Sequence, residues 1–512
     1  VNSFGIVTVV PFVIGIGIIL WQEEVLIPLL GALVLGGIML SKFNPLLGLY
    51  NTAGDLILGS LLNVRNIVLI IVIGEVLVLY AVLNRYGFIN VFSKKIGRKI
   101  RTASSLEIAV FSSSLLVFID RHLSTLLVGV FSKPLVEKKS LSPIKHAYLL
   151  SAVSSSVATL IPFTLLTPVI LTAIGTGFKG LGIEFSPLRA LYLSLPYQFY
   201  NLFALFTVIT LLVIKKDTLF MKQLTGRIQE TKQTPSFGVS LNTRAHPDDR
   251  IAFYGVLATL TVLFGVVIAG VLLNSEDIIM PSLQPLQNYG ALFVNALFVA
   301  VVFLFLYLFL SRSVRYYEWR DGSMSSGKMY GNLAATLVYI VLAFAMQLLA
   351  RRLSLGSSIL AGLIDKALPM NLIPLIVFIL ASLVSFLSGS APLTIGVMIP
   401  LSLRIISTNM TDPLIVNNLL FATIGAVLSG ATFGDMNSPL SLNYIIATAS
   451  TDAGIRSRFI AQIGYALVAL GATIVFGYLL LTLNVKPYVS ISSGFLVIAL
   501  LLMFLTGTIK NK

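Results

Sequence analysis

The residues able to do chemistry gather in four polar clusters, each set inside a long apolar run. "ATFGDMNSPLSLNY" (Ala431 to Tyr444) carries Asp435 beside the neutral oxygens of Thr432, Asn437, Ser438, Ser441 and Asn443. "SAVSSSVATLIPFTLLTP" (Ser151 to Pro168) carries Ser154, Ser155, Ser156 and Thr159, but no acid. "VFIDRHLST" (Val117 to Thr125) carries Asp120, Arg121, His122, Ser124 and Thr125. "FLSGSAPLT" (Phe386 to Thr394) carries Ser388, Gly389, Ser390, Pro392 and Thr394. A helix interrupted in lipid leaves backbone N–H and C=O groups unpaired, so such breaks must face protein, water or a solute. Gly434 and Pro439 are expected to unwind one helix, and Pro162 and Pro168 another. The exposed carbonyls and helix ends would hold an ion or a small solute near mid-membrane. The four breaks are expected to line one cavity.

Each residue has a duller reading beside the functional one. Ionisable groups inside a bilayer are costly and are functional by default. Asp435 and Asp120 therefore read as the proton- or ion-coupling acids, with a static pair between Asp120 and Arg121 or another base as the alternative. For Arg121, a counter-ion role and an anion-binding role stand open together. His122 titrates near neutrality in principle, yet beside Arg121 it reads equally as a structural hydrogen-bonding group. Single serines and threonines commonly pack membrane helices, so their clustering at all four breaks is the signal. Glu75 in "IVIGEVLVL" is a second candidate proton or cation site. Nothing around it unwinds the helix, which favours an acid neutralised by desolvation.

The elements that position these clusters follow from composition. The 512 residues are 57% hydrophobic and 11% charged, with mean hydropathy +0.96. Apolar runs of about 20 residues recur along the chain, the length that a bilayer core requires of a helix. The expected fold is an all-α polytopic membrane protein. Its spans fall near 4–20, 25–40, 66–83, 145–178, 190–214, 251–273, 288–311, 332–350, 413–450, 459–483 and 490–508. That makes about eleven transmembrane helices plus two re-entrant hairpins, 106–132 and 371–406. The first run lacks a basic start and a small-residue cleavage site, and reads as a helix rather than a removed signal. Alternating strand patterns of a transmembrane barrel are absent.

Lys and Arg set the orientation. Arg85, Lys94, Lys95, Arg98, Lys99 and Arg101 mark 84–105 as cytoplasmic, and 133–145 and 215–250 are likewise basic. Segment 274–287, with Glu276 and Asp277, is expected outside, and the C-terminus, with Lys510 and Lys512, inside. Arg351 and Arg352 fall on the external side and run against this bias. The order span, interrupted hairpin, broken helix, span occurs in 66–214 and again in 332–483, starting from opposite sides. That pattern is an inverted-topology repeat. The remaining parts are N-terminal helices in 1–65, a cytoplasmic loop at 215–250, connecting helices in 251–331 and a C-terminal helix in 484–512.

Several residues together resemble the NhaC family of sodium/proton antiporters. They are Val117 to Ala158, the Phe-Gly-Asp-x-x-Ser-Pro-x-Ser pattern of Phe433 to Ser441 with its continuation to Leu467, and the second hairpin "SGSAPLTIGVMIPLSL" (Ser388 to Leu403). The resemblance covers roughly 66–483. It implies that Asp120 is a hairpin acid and that Asp435, Ser438, Pro439 and Ser441 form the second signature. Three positions where it implies an acid hold Arg121, Ser151 and Leu442. A sodium site wants several hard oxygens and compensating negative charge, so these departures weaken a cation site.

The sequence therefore predicts a secondary active transporter working by alternating access, nominally a sodium/proton antiporter. The alternative is proton- or sodium-coupled transport of a small organic acid or amino acid, with Arg121 binding the carboxylate. A channel and a scaffold that has lost transport are the competing classes. No nucleophile–base pair points to an enzyme, and there is no Walker loop or His/Glu metal motif. The net charge of +15 is accounted for by the positive-inside bias without nucleic acid. Cysteine is absent, which excludes a disulfide framework. Expected partners are the bilayer of the plasma membrane and a small ion or solute, with no cofactor beyond a sodium ion. The architecture admits a homodimer.

Overall fold

The structure is a computed structural model that describes residues 5–22, 24–217, 221, 236–237, 248–273, 285–311, 313, 326–364, 369–408 and 413–507. The expected polar loop 215–250, the acids Glu276 and Asp277, and Lys510 and Lys512 fall largely or wholly outside these. Every regular element among the described residues is helical. Eight helices are long and apolar enough to cross a membrane, and ten if each of two bent pairs is one span. The chain is thus an all-helical integral membrane protein, with eight to ten candidate spans among the described residues.

Two expected spans are bent. The run at 25–40 is not a lone span: Leu26–Leu40 turns through 117° into Pro45–Leu61. Lys42 and Phe43 have positive φ, Asn44 accepts from the Leu47 N–H at 3.2 Å, and Pro45 opens the second helix. This is the usual chemistry of a helix stop followed by a capped start. The span expected at 190–214 bends by 51° between Pro187–Tyr197 and Phe199–Ile214. Segment 84–105, expected as a basic linker, contains the helix Phe88–Lys99. Phe88, Ile89 and Val91 are buried, while Lys94, Arg98 and Lys99 are exposed.

The interruptions lie where the polar clusters are. The first hairpin is Ala103–Leu116 and Arg121–Lys138, and the second is Ile373–Ser388 and Ala391–Thr408. The first broken helix is Pro143–Leu160 followed by Thr167–Gly180, and the second is Pro413–Asn437 followed by Leu442–Thr451. A long helical segment follows each, Pro187–Ile214 and Ile455–Thr482. The same order of elements therefore occurs twice. Pro439 lies in a break, but Gly434 does not unwind its helix. It lies inside Pro413–Asn437, where a Cβ would meet Ser385 C at 2.2 Å and Phe386 N at 2.4 Å. Its role is close backbone packing, the common use of small residues in membrane helices.

Each break is met by a hairpin tip. Gly389 has φ +63, and a Cβ there would meet the Leu440 carbonyl carbon at 2.5 Å and Ser441 N at 2.7 Å. The first hairpin tip joins the first break through Leu165 N–H donating to Ile119 O at 2.9 Å.

Gly434→Ala is expected to separate Ile373–Ser388 from Pro413–Asn437, because the added methyl would meet backbone atoms of Ser385 and Phe386 that cannot turn aside as a side chain can. The expected cost is about 1–3 kcal/mol or more, read as a lowered thermal unfolding midpoint of the purified protein. Gly396→Ala, where a Cβ meets nothing within 4 Å, should leave the midpoint unchanged.

Candidate functional site

Arg121 is the first residue of the second arm of its hairpin, and Asp435 sits two residues before the second break. The fold brings them together, with Arg121 Nε and Asp435 Oδ2 3.2 Å apart. They are only 6% and 2% exposed. The Ser155 hydroxyl donates to Asp435 Oδ2 at 2.8 Å. Ser441 donates to the Asp435 carbonyl at 2.7 Å, which satisfies one of the carbonyls freed by the break. The Arg121 Nε makes no well-directed hydrogen bond, so its hold on Asp435 is mainly Coulombic.

Asn443 continues this network. Its amide donates to Ser155 at 2.8 Å and to Ser154 at 3.1 Å, and its carbonyl accepts from Thr125 at 2.8 Å. One polar layer thus ties the first hairpin and both broken helices together. A second layer joins Thr159 to Thr432 at 3.2 Å and to Asn201 at 2.7 Å. Asn437 donates to the Tyr200 hydroxyl at 2.9 Å.

Asp120 does not pair with Arg121. It caps the hairpin's second arm, accepting from Leu123 N–H at 2.8 Å, and lies 3.7 Å from His122 Nδ1.

Two cavities flank Arg121 and His122. One, of about 340 Å³, is lined by Arg65, Arg121, Arg351 and Asp435 among others. The other, of about 400 Å³, is lined by Arg65, Asp120, Arg121 and Thr164 among others. Arg121 and Asp435 are buried, whereas Arg65 and Arg351 are exposed. Of the expected site residues, Asp120, Arg121, Asp435 and Ser390 line a cavity. Ser154, Ser155, Thr159, Thr432, Asn437, Ser441 and Asn443 form the bonded layers behind them. Ser124 instead donates back to Ser114 O at 3.2 Å. Ser388 accepts from Ser390 N–H, and Thr394 donates to Ser390 O. Ser438 accepts from Leu440 N–H. These four hydroxyls serve their own turns. Glu75 is half-buried and lines neither cavity.

Several polar residues were not singled out by the sequence. Arg351 carried a signal, as a base on the wrong side of the charge bias. Arg65 carried none, being one residue outside an apolar run. Arg458 is fully buried, and no carboxylate contacts it among the described residues. Its guanidinium donates to Gln462 Oε1 at 3.0 Å, Tyr444 O at 2.7 Å, Thr448 Oγ1 at 2.9 Å and Ser151 Oγ at 2.6 Å. It also stacks 3.7 Å over the Tyr444 ring. Such a cation–π contact strengthens when desolvated.

Two lysines further along are paired. Lys145 contacts Glu107 at 2.7 Å and Asp217 at 2.6 Å. Lys133 pairs with Asp452, whose other oxygen accepts from Ser236 at 2.7 Å. Lys133 lies twelve residues beyond Arg121 on one helix, about 18 Å along its axis at 1.5 Å per residue. No group of three or more metal-ligating side chains occurs among the described residues.

Arg458→Ala is expected to lower the thermal unfolding midpoint sharply, since each hydrogen bond to a charged group is worth about 1.5–3 kcal/mol. Arg458→Lys should not restore it, because one ammonium cannot replace the planar fork that spans four acceptors.

The model of the Na+/H+ antiporter family matches residues 162–482. Over its whole length the chain is 22% identical to an uncharacterized protein of Haemophilus influenzae, covering 96% of that protein. Among solved structures it is similar to the Alcanivorax borkumensis YdaH transporter at 16% identity, with a TM-score of 0.36, covering 85% of this chain and 88% of that one.

Proposed function

The chain belongs to the Na+/H+ antiporter family, and from that premise we propose that this secondary transporter carries a small organic acid, coupled to protons or sodium. The observation that supports this is the lining of the 340 Å³ cavity, where Arg65, Arg121 and Arg351 face a single acid, Asp435. A bare cation about 4 Å from Arg121 would be repelled by about 4 kcal/mol at an effective dielectric constant of about 20. A carboxylate would be attracted to the same place, and a guanidinium can grip it with two parallel N–H donors. In this reading Arg121 holds the substrate and Asp435 is its competitor and coupling acid. Protonating Asp435, or binding a cation at it, frees Arg121, and Asp120 in the adjoining cavity is the second coupling candidate. Sodium/proton exchange without an organic substrate is the second reading, and family membership is what favours it.

Alternating access gives the two ends of the molecule different tasks. The cavity opens at the end bearing Arg65 and Arg351. The Lys133–Asp452 and Glu107–Lys145–Asp217 clusters close the opposite end. We assign the first to the outside and the second to the cytoplasm by the positive-inside rule. We take the two copies of the element order as inverted repeats that rock about this site.

The test is flux in proteoliposomes of purified protein, with a panel of carboxylates and amino acids beside sodium, lithium and potassium. A carboxylate is expected to enter under a pH or sodium gradient. Arg121→Ala should slow it about tenfold or more, the equivalent of losing about 1.4 kcal/mol of binding, and Asp435→Asn should uncouple it from the gradient. Cation-driven pH change with no organic anion, lost in Asp435→Asn, would replace this reading with the second.

The end assignment has its own measurement, since the chain is cysteine-free. Gln347→Cys, on the cavity wall, is expected to react with an impermeant thiol reagent from outside only. Adding Lys133→Ala should open a route from inside.

A further inference from the structure

Building on the organic-acid reading, we propose that the substrate is a small dicarboxylate bound as its dianion, with Arg65 and Arg351 receiving the second carboxylate. Arg65, Arg121 and Arg351 supply three guanidinium groups; Asp120 stands with Arg65 and Arg121 in the adjoining cavity, and Asp435 is neutralised when substrate takes its place on Arg121, so one carboxylate faces the three. That leaves an excess of two positive charges, which a monocarboxylate would only half offset. A bound dianion is the occupant whose charge balances this group.

The arginines come from three separate elements. Arg121 is at the first hairpin tip, Arg65 starts Val64–Arg85, and Arg351 ends Ser326–Arg352. Arg65 feels the charges of Arg121, Asp120 and Arg351, so the three form one electrostatic group. They differ in commitment. Arg121 is held against Asp435. The guanidinium groups of Arg65 and Arg351 make no ion pair or side-chain hydrogen bond among the described residues, and both are exposed. Two arginines left unpaired at the open end of a site, with a third at its buried end, suit a molecule charged at both ends. Arginine forks match carboxylates in both planarity and donor spacing.

Size points to a carbon chain between the charges. At about 340 Å³ the cavity is at the small end of ligand sites, large enough for a few carbons between two acids. An inorganic dianion such as phosphate or sulfate shares the charge but would engage one end only. Asn66, Gln347 and Ser390 on the wall could bond hydroxyl or keto groups on such a chain.

The experiment is competition in the same proteoliposomes, using straight-chain dicarboxylates of increasing length, monocarboxylates of matching length, phosphate and sulfate. Dicarboxylates should compete at concentrations about tenfold or more below their monocarboxylate partners, the worth of one added charge-assisted contact. Arg351→Gln and Arg65→Gln should each erase that preference by weakening dicarboxylates about tenfold more than monocarboxylates. Arg121→Gln should weaken both classes.

Thermal stabilisation of the wild-type protein by dicarboxylates over monocarboxylates gives an independent reading if a variant folds poorly. Equal competition by the two classes, or a preference that survives both Gln variants, would overturn the proposal while leaving organic-acid transport standing. Phosphate or sulfate as the best competitor would also overturn it, in favour of an inorganic dianion. Indifference to every anion alongside cation-driven pH change would instead overturn the reading on which it rests.

Discussion

The contact between Arg121 and Asp435 is the constraint around which the centre of this protein is arranged. Removing either charge from water costs several kcal/mol, and leaving one of them buried alone costs more than the pair. Wherever the second broken helix places Asp435, the first hairpin must deliver Arg121. The tip of that hairpin is therefore docked at the break, 3.2 Å from the acid. The remaining lone pairs of Asp435 draw in Ser155 from the first broken helix and Ser441 from across the break. Asn443 then ties Ser154, Ser155 and Thr125 behind them. Two halves of the chain separated by about 280 residues in sequence meet because one ion pair has to be satisfied.

The other buried guanidinium is a contrast to the first. Arg458 contacts no acid among the described residues, yet it donates four hydrogen bonds to neutral oxygens. Four of its five N–H donors are used, and it is fully enclosed. One of its acceptors is Ser151, a position where the NhaC resemblance implies an acid. A fixed internal cation thus occupies ground that a mobile one would need. Arg121 is the opposite case, with one ion-pair partner and a place in the lining of two cavities. A cation satisfied entirely by its own chain is structural. A cation left partly unsatisfied beside a cavity is poised for an anion.

Much of this was legible in the sequence, for a definite reason. Lipid forbids unpaired backbone, so a polar cluster inside an apolar run has few structural outcomes. All four clusters proved to be breaks, and Asp435, Ser155, Ser441 and Asn443 proved to share one network. What stayed hidden depended on tertiary approach. Gly434 read as a helix breaker, but only the proximity of the Ser385–Phe386 backbone shows it to be a packing residue. The 117° turn after Leu40 was lost because its polar residues are few and its flanks apolar. Arg65 and Arg351 lie 286 residues apart, and only the fold makes them neighbours. Ser388 and Thr394 have the right composition but point their hydroxyls into their own turn.

The distribution of paired and unpaired charge also bears on how such a molecule would move. Along the helix Arg121–Lys138 the chemistry changes from one end to the other. Near Arg121 positive charge exceeds negative and water has entry. About 18 Å away Lys133 and Asp452 are matched, with Ser236 bonded to the free oxygen. Lys145 there has two acids for one base. A closed end wants neutral, mutually satisfied groups that have no use for a solute. An open end wants a deficit that a solute can fill. In the alternating-access reading, exchanging these roles would require breaking the lysine pairs, and the free energy would have to come from a ligand that binds one arrangement better than the other. If the substrate is the proposed anion, its charge, offsetting the arginine excess, would be that source.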